Sequence, residues 1–274
     1  MGIDATRRGF LAGALAAAAP GLSAAPPAGA EGLKLGIATY SLREFQRKLA
    51  IKMCQQCGVK YVSVKEFHMP YRSTPKELAE ARRDFEKAGL TILSGGNNSI
   101  QKDTDEDVKF FFDYAKNCGM PMLIIAPTAQ TLPRVEKFVK QYDIKVALHN
   151  HGPEDKHFPT PQSVLKAIRN MDPRVGLCID VGHTTRTGAD VLESIVEAGS
   201  RLLDVHIKDL KDLMGKDSQS IVGQGAMPVV AIFKQLKKMN YTGGVMLEYE
   251  IEADNPLPGM LQSFAYMRGV LAAL

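Results

Sequence analysis

The sequence predicts a single-domain α/β fold, a (β/α)8 TIM barrel that spans residues 31–274. Short apolar runs rich in Val, Ile and Leu alternate with longer amphipathic segments, which is typical of a parallel sheet with helices between its strands. The pattern repeats eight times in about 240 residues, close to the length that a closed barrel of this kind needs. The glycine-rich segment Ser94–Asn97 does not match the G-x-G-x-x-G motif, which argues against an open dinucleotide-binding sheet.

The apolar runs mark the predicted strands, and the amphipathic segments mark the helices. The predicted strands are Leu33–Tyr40, Tyr61–Phe67, Leu90–Ser94, Met122–Ala126, Lys145–His149, Val175–Asp180, Leu202–Lys208 and Gly244–Glu250. Among the helices, Pro75–Ala88 begins with a proline, which is favoured in a first turn. Asp103–Asn117 begins with acidic residues, which suit the positive end of the helix dipole. The last predicted helix is Leu257–Leu271.

Residues 1–30 differ from the rest of the chain and resemble a twin-arginine export signal. Arg7 and Arg8 precede an Ala-rich apolar run, and Ala28-Gly29-Ala30 has the small residues of a cleavage site. The apolar run is about 11 residues long, and spanning a bilayer takes about 20. The sequence therefore predicts a cleaved signal peptide, a periplasmic or secreted protein, and no stable membrane anchor.

The composition is that of an ordinary globular protein, with 45% hydrophobic and 23% charged residues. A net charge of +4 is too small and too dispersed to indicate a nucleic-acid partner. Four cysteines in a chain of this length do not indicate a disulfide scaffold. Cys54 and Cys57 form a C-x-x-C motif, but both lie on the apolar stripe of a predicted helix. This placement favours core packing over a redox or metal pair.

Side-chain alternation in the last four strands predicts which residues face the barrel interior. Residues that face the helices must be apolar, so the residues between them face inward. In the seventh strand this rule places Leu203 towards the helices, and it places Leu202 and Asp204 inside. Each of the four strands then has one inward ionisable residue near its carboxyl end: His149, Asp180, His206 and Glu248. This end is where barrel enzymes have their active sites.

These four residues predict one divalent metal ion. Four buried ionisable groups would each cost several kcal/mol of folding free energy unless they were paired or neutralised. A set of two imidazoles and two carboxylates suits Mn²⁺, Co²⁺, Zn²⁺ or Fe²⁺ and is poor for Ca²⁺. A hydrogen-bonded network without metal is the alternative interpretation.

A second layer of polar residues is expected above the metal ligands, where a substrate would lie. Lys208 and Glu250 are the next inward residues above His206 and Glu248, and His151 and His183 lie at the same level. Other candidates for substrate contact are Lys65, which shares the inward parity of the second strand, His68 at its exit, and Asn150.

The chain resembles the xylose-isomerase-like family of barrels, which includes ketose 3-epimerases, inositol-pathway dehydratases and apurinic endonucleases. The matching strings, in order, are Leu148–Gly152, Asp180–His183, His206–Asp209, Gly223–Gly225 and Leu247–Glu250, within a repeat that covers residues 33–271. The metal ligands of the epimerases imply the same role for Asp180, His206 and Glu248. His149 stands where those enzymes have a glutamate, so only one glutamate of their two-base pair remains.

The resemblance implies a metal-dependent sugar isomerase or epimerase that acts through an enediolate on a ketose or keto-sugar. Glu248, Lys208, His183 and His151 are the expected catalytic residues, and a small-molecule sugar is the expected partner. The alternative is a lyase that performs β-elimination on a 3-keto-glycoside. The loss of one glutamate, together with the export signal, makes the lyase a serious alternative.

Two further functions fit the sequence less well. Phosphodiester cleavage, as in the endonucleases, needs several zinc ions and more ligands than a chain with six histidines offers. A non-catalytic sugar-binding barrel would have no need to keep all four ligand positions. The sequence does not exclude a homo-oligomer.

Overall fold

Eight parallel strands close into a barrel in the computed structural model, which describes residues 32–274. The predicted signal peptide, residues 1–30, lies outside the described residues. The barrel strands are β1 (Lys34–Ala38), β2 (Tyr61–Val64), β3 (Thr91–Ile100), β4 (Met122–Pro127), β5 (Lys145–His149), β6 (Val175–Asp180), β7 (Leu202–Ile207) and β10 (Gly244–Leu247). Each strand pairs with its neighbour in parallel, and β10 lies between β7 and β1 to close the ring. The predicted fold class is confirmed.

Helices follow the strands and cover the outside of the barrel. They are α1 (Arg47–Gln56), α2 (Pro75–Lys87), α3 (Asp105–Cys118), α4 (Leu132–Tyr142), α5 (Pro161–Ile168), α6 (Val181–Arg186), α7 (Val191–Ala198), α8 (Val229–Lys238) and α9 (Leu257–Ala272). The start of α2 shows how local residues determine where a helix begins. Thr74 caps the helix by accepting from the N–H of Glu77, Glu77 bonds back to Thr74, and Pro75 takes the first turn. No helix in the described part of the chain is long and apolar enough to cross a membrane.

Two apolar layers hold the barrel together. The larger layer lies between strands and helices and includes the outward residues Val146, Ile179 and Val205. A small inner cluster of Met122, Ile124, Ala147 and Cys178, with Leu203 against it, fills the barrel interior. The predicted ligand residues lie above this packed interior, at the carboxyl ends of the strands. Below them Asp204 is buried and accepts from Ser94 Oγ at 3.3 Å.

The seventh strand contains an irregularity that changes one part of the predicted register. Leu177 of β6 pairs with Leu202, but Cys178 pairs with Asp204, so Leu203 is an extra residue in the ladder. As a result Leu203 packs in the barrel interior and Leu202 belongs to the outer layer, the reverse of the prediction. The extra residue precedes Asp204, so His206 keeps its inward direction.

A short antiparallel hairpin, β8 (Asp209–Leu210) with β9 (Gln219–Ser220), follows β7 and stands above the carboxyl ends of the strands. The carboxylate of Asp209 anchors the base of the hairpin and the segment after it by accepting from four backbone N–H groups, those of Leu210, Gly223, Gly225 and Met227, at 2.8–3.1 Å. Glycine is required at 225 because a Cβ there would lie 2.2 Å from Asp209 Oδ1. This explains the Gly223-Gln224-Gly225 string.

Candidate active site

Four predicted ligand residues converge at the carboxyl mouth of the barrel. His149 and Asp180 end β5 and β6, His206 lies in β7, and Glu248 directly follows β10. All four are buried, and Glu248, the most exposed, is only 8% exposed. Parallel strands end at one mouth of a barrel, so successive strands bring residues distant in the sequence to one level.

The distances between their ligand atoms suit a single divalent ion. His149 Nε2 lies 3.0 Å from His206 Nδ1 and 3.6 Å from Asp180 Oδ2. Glu248 Oε2 lies 3.2 Å from His206 Nδ1 and 4.0 Å from His149 Nε2. Ligands bound at about 2.1 Å from one ion lie about 3–3.5 Å apart. The four atoms therefore fit a metal ion, and the N₂O₂ donor set suits Zn²⁺ or a similar ion.

The charges of three of these residues, His149, Asp180 and Glu248, suit a divalent ion. Burial, together with nearby His151, lowers the pKa of His149 to about 3, so its imidazole is neutral and able to bind a metal. Burial alone would raise the pKa of Asp180 and of Glu248, but the ammonium of Lys208 holds both well below their usual range. The layer therefore offers two carboxylates and a neutral imidazole from His149 at neutral pH. Burial would lower the pKa of His206, but Cys178 and Glu248 raise it well above its usual value, so a metal ion that binds here would displace the proton of this imidazole.

Lys208 lies directly above this layer and is buried. Its Nζ is 3.0 Å from Asp180 Oδ2, 3.1 Å from Glu248 Oε2 and 2.7 Å from Glu250 Oε2. Burial would lower the pKa of Lys208, but these three carboxylates raise it well above its usual value. The lysine is therefore a cation at neutral pH. Gly182 makes room for it, because a Cβ there would lie 2.8 Å from the lysine side chain.

His151 is held on both sides of its ring. Its Nδ1 lies 3.3 Å from Asp155 Oδ2, and its Nε2 lies 2.7 Å from Asn97 Nδ2, which donates to it. Burial would raise the pKa of Asp155, but hydrogen bonds from His151 and from the N–H groups of His157 and Phe158 lower it to about 2. The ionised Asp155 favours a proton on Nδ1 and leaves Nε2 as an acceptor.

His183 is held in the opposite tautomer. It lies in the first turn of α6, where its backbone N–H donates to Asp180 Oδ1 at 2.7 Å. Arg186 Nη1 lies 3.3 Å from His183 Nδ1 and donates to it, because an arginine has no acceptor. The proton of a neutral His183 is therefore on Nε2, and this histidine is a donor.

Two cavities open above the metal ligands. The inner cavity has a volume of about 280 Å³ and is lined by Tyr40, Lys65, Asn97, His149, His151, His183, Glu248 and Glu250. The outer cavity, of about 590 Å³, shares His151, His183 and Glu250 with it and extends under the β8–β9 hairpin. The inner lining combines the metal layer with donors and acceptors of protons, which is the arrangement of an acid–base catalyst.

The model of the family of xylose isomerase-like TIM barrels matches residues 40–270. The chain belongs to this family. An inosose dehydratase of Clostridium beijerinckii is 25% identical over 219 residues, 72% of this chain and 68% of that enzyme. An inosose dehydratase of Mesomycoplasma hyopneumoniae is 27% identical over 53% of this chain and 54% of its own length, so the chain spans about half of that relative.

Solved structures show the same fold at lower identity. The 3-keto-D-glucoside 4-epimerase of E. coli has a TM-score of 0.72 at 14% identity, over 86% of this chain and 99% of that one. The IolI protein, solved with a bound zinc atom, also has a TM-score of 0.72, at 19% identity, over 88% of this chain and 99% of that one. At these identities the likeness shows the fold that the chain shares with both proteins.

Two predicted substrate contacts lie elsewhere in this structure. His68 is buried and bonds to Thr39 Oγ1 at 3.0 Å and to the carbonyls of Leu42 and Phe45 at 3.2 Å. It fixes the segment after β1 and lines neither cavity, whereas the predicted contact Lys65 does line the inner one. Asn150 is also buried. It donates to Thr184 Oγ1 and accepts from the N–H of Asp180, both at 3.1 Å, so it joins β6 to α6.

Several residues at the site were missed by the sequence analysis. Asn97 could have been predicted from the sequence, because a polar residue directly after Ser94-Gly95-Gly96, where a strand ends, indicates a position at the barrel mouth. Gln219 had no such signal, since it lies on the hairpin that interrupts the repeat. Its side chain accepts from the N–H of Glu250 at 2.9 Å and donates to the carbonyl of Glu248 at 2.6 Å. The other missed residues are Tyr40, Asp155 and Arg186.

Proposed function

We propose that this barrel is a divalent-metal-dependent enzyme that removes the proton from a carbon beside the carbonyl of a keto-sugar. The convergence of four buried ligand atoms on the floor of a polar cavity carries the proposal. A divalent ion there would polarise the substrate's carbonyl oxygen and make the neighbouring C–H more acidic. His149, Asp180, His206 and Glu248 would hold it, with Zn²⁺, Mn²⁺, Co²⁺ and Fe²⁺ as candidate ions.

We assign the removal of the proton to His151. Its ring lines the inner cavity, and Asp155 stabilises the positive charge that forms when the ring takes up a proton. The Nε2 lone pair accepts from Asn97 in this structure, so the substrate's C–H would have to replace that donor. Glu248 is less suited to this step. Its Oε2 already lies against Lys208 and His206, and a carboxylate with so low a pKa is a weak proton acceptor.

Lys208 and His183 are assigned to stabilisation and protonation of oxygen atoms. Negative charge develops on the carbonyl oxygen as the proton leaves, and the ammonium of Lys208 is the nearest fixed cation to the metal layer. The Nε2–H of His183 would donate its proton to a second oxygen of the substrate.

We propose β-elimination as the outcome. His151 takes the proton, the C–H electron pair becomes a C=C bond, the C–O bond at the β position breaks, and His183 supplies the proton to the departing oxygen. No oxidant or reductant is needed. The curated relatives are named inosose dehydratases, and the single glutamate of the metal layer supports an assignment with one base and one acid.

Epimerisation is the second candidate. It needs two proton carriers on opposite faces of one carbon, and both Glu248 and His151 line the inner cavity. The sequence placed this reaction first, and the 3-keto-D-glucoside 4-epimerase shares the fold.

Incubation in deuterated water separates the two reactions. Metal-loaded protein is given free keto-sugars and 3-keto-glycosides, and the products are identified by NMR and mass spectrometry. Elimination gives an unsaturated sugar and the released group, whereas epimerisation gives a sugar of unchanged connectivity with deuterium at one carbon. Protein with His157→Ala, a histidine in an exposed loop, is the control and keeps its activity. The proposal is contradicted if no keto-sugar gives either product with any of the four ions.

A further inference from the structure

We propose that the outer cavity binds a second polyhydroxylated unit, so that the substrate is an O-linked keto-glycoside and not a free keto-sugar. This inference rests on the proposed function. The outer cavity is about twice the inner one, at 590 Å³ against 280 Å³. Sites for drug-sized ligands have about 300–1,000 Å³. The outer cavity is therefore large enough for a group that the inner one cannot hold beside a keto-sugar.

The two cavities meet at the residues that transfer protons. His151, His183 and Glu250 line both of them. We place the keto-sugar of the substrate over the metal layer and its second unit in the outer cavity. The bond that joins the two units would then lie at this shared wall. The Nε2–H of His183 would then lie beside the linking oxygen, the atom that needs a proton when that bond breaks.

The charges of the outer cavity favour a neutral ligand. Of the charged side chains that line only this cavity, three are cationic and three are anionic: Arg186, Lys208, Lys216, Glu154, Asp155 and Asp217. Arg186 pairs with Glu154, so its charge is already compensated. A phosphate or a carboxylate would meet as many anions as cations. A sugar unit can instead donate to the carboxylates and accept from the cations.

The walls of the outer cavity are fixed in place. The hairpin turn is closed by a bond from the Lys211 N–H to the Ser218 carbonyl at 2.8 Å, and Gln219 ties the hairpin to the residues after β10. Ile251, which follows Glu250, is half-buried and forms the apolar part of the wall. A preformed site of this kind needs little ordering when a ligand enters.

The test compares a two-unit probe with a one-unit probe. Wild-type, metal-loaded protein is expected to have a KM for 3-ketocellobiose that is at least about tenfold below its KM for methyl 3-keto-β-glucoside. Ile251→Trp narrows the outer cavity at its apolar wall and is expected to reduce this difference while leaving the smaller probe unaffected. Val196→Trp, at an exposed valine on α7, is the matched control and changes neither KM. Asp217→Ala, in the exposed hairpin turn, is a second variant that does not depend on the fold accepting a tryptophan.

Equal KM values for the two probes in the wild type, or equal effects of Ile251→Trp on both, would overturn the subsite. If neither probe reacts, the proposed function fails separately. Calorimetry with unoxidised cellobiose and methyl β-glucoside then decides the subsite. Tighter binding of cellobiose that is lost in Ile251→Trp and in Asp217→Ala supports it, and equal or undetectable binding of both sugars contradicts it.

Discussion

His149 determines what acid–base chemistry the metal layer can perform. An imidazole in place of a glutamate reduces the layer to two carboxylates, and a histidine bound to a metal is a poor proton acceptor. The acceptor must then come from the layer above. His151 fits this position because Asp155 and Asn97 fix its ring from both sides.

The ligand assignment predicts how single substitutions change metal content. Asp180→Asn or His206→Ala is expected to lose most of about one bound equivalent, because each removes one of four ligand atoms. Elemental analysis after removal of free metal measures the change. His157→Ala keeps its metal, and an equal loss in this exposed-loop control would refute the assignment.

Replacing the two candidate bases separates their roles. His151→Gln is expected to lower kcat by about 10²–10⁴-fold while metal content stays unchanged. Asp155→Asn leaves the base in place but changes its proton affinity, so it should also move the pH at which kcat falls. Glu248→Gln is expected to weaken metal binding as well as turnover. The base would instead be Glu248 if Glu248→Gln kept its full metal content but lost kcat, and if His151→Gln had a normal rate.

Lys208 and His183 are expected to affect turnover without affecting metal content. Lys208→Met removes the cation above the layer, and His183→Ala removes the donor. Loss of one oxyanion donor typically costs about 10²–10³-fold in kcat. Metal analysis and turnover are measured on the same samples. A loss of activity in proportion to a loss of metal would place either residue among the ligands.

At the scale of elements, the β8–β9 hairpin positions the residues that follow β10. Gln219 bonds to the backbone on both sides of Tyr249 and so sets the spacing of Glu248 and Glu250. Tyr249 itself is fully buried beneath them. The N–H of Glu248 still donates to the carbonyl of Ile207 at 3.1 Å, and the chain beyond it is positioned by side chains.

Helix α1 contains the C-x-x-C motif, and its burial predicts unreactive thiols. Cys54 and Cys57 are both buried and free. Burial raises the pKa of Cys57 to about 11 and raises that of Cys54 further. Because the neutral thiol is then favoured up to high pH, only about one Cys57 in a thousand is a thiolate at pH 8. Labelling of the native protein should be slow at pH 8, accelerate towards pH 11, and become fast on unfolding. Rapid native labelling at pH 8 would mean that the motif has a reactive role.

At the scale of the whole molecule, the barrel and most of its site could be predicted from the sequence because alternation and repeat length are local signals. The structure differs from the predicted one at four places, and at each the cause is a contact that local sequence signals do not reveal. The strand β3 continues to Ile100 through polar and glycine residues, which pair with β4 after an irregularity. The strand β2 ends at Val64 because the N–H of Lys65 donates to Thr39 Oγ1. The extra residue Leu203 and the hairpin after β7 also depend on contacts distant in the sequence.

We also propose that the protein is exported by the twin-arginine route. A reporter fused to residues 1–30 should reach the periplasm or the medium, and Arg7→Lys with Arg8→Lys should abolish its transport by that route. Fractionation of cells that express either fusion measures this. Unchanged transport of the double variant by the twin-arginine system would show that the signal is wrongly assigned.

The anchor of the hairpin has a consequence for how fast products leave. Four backbone N–H groups converge on the carboxylate of Asp209, so the loop above the barrel mouth is tied to the end of β7 at its start, Leu210, and at its end, Gly223–Met227. In enzymes whose loops must open, that opening often limits turnover. Here the departing molecule would diffuse out past a stationary wall. Turnover should then follow the chemical step and be insensitive to the viscosity of the solvent.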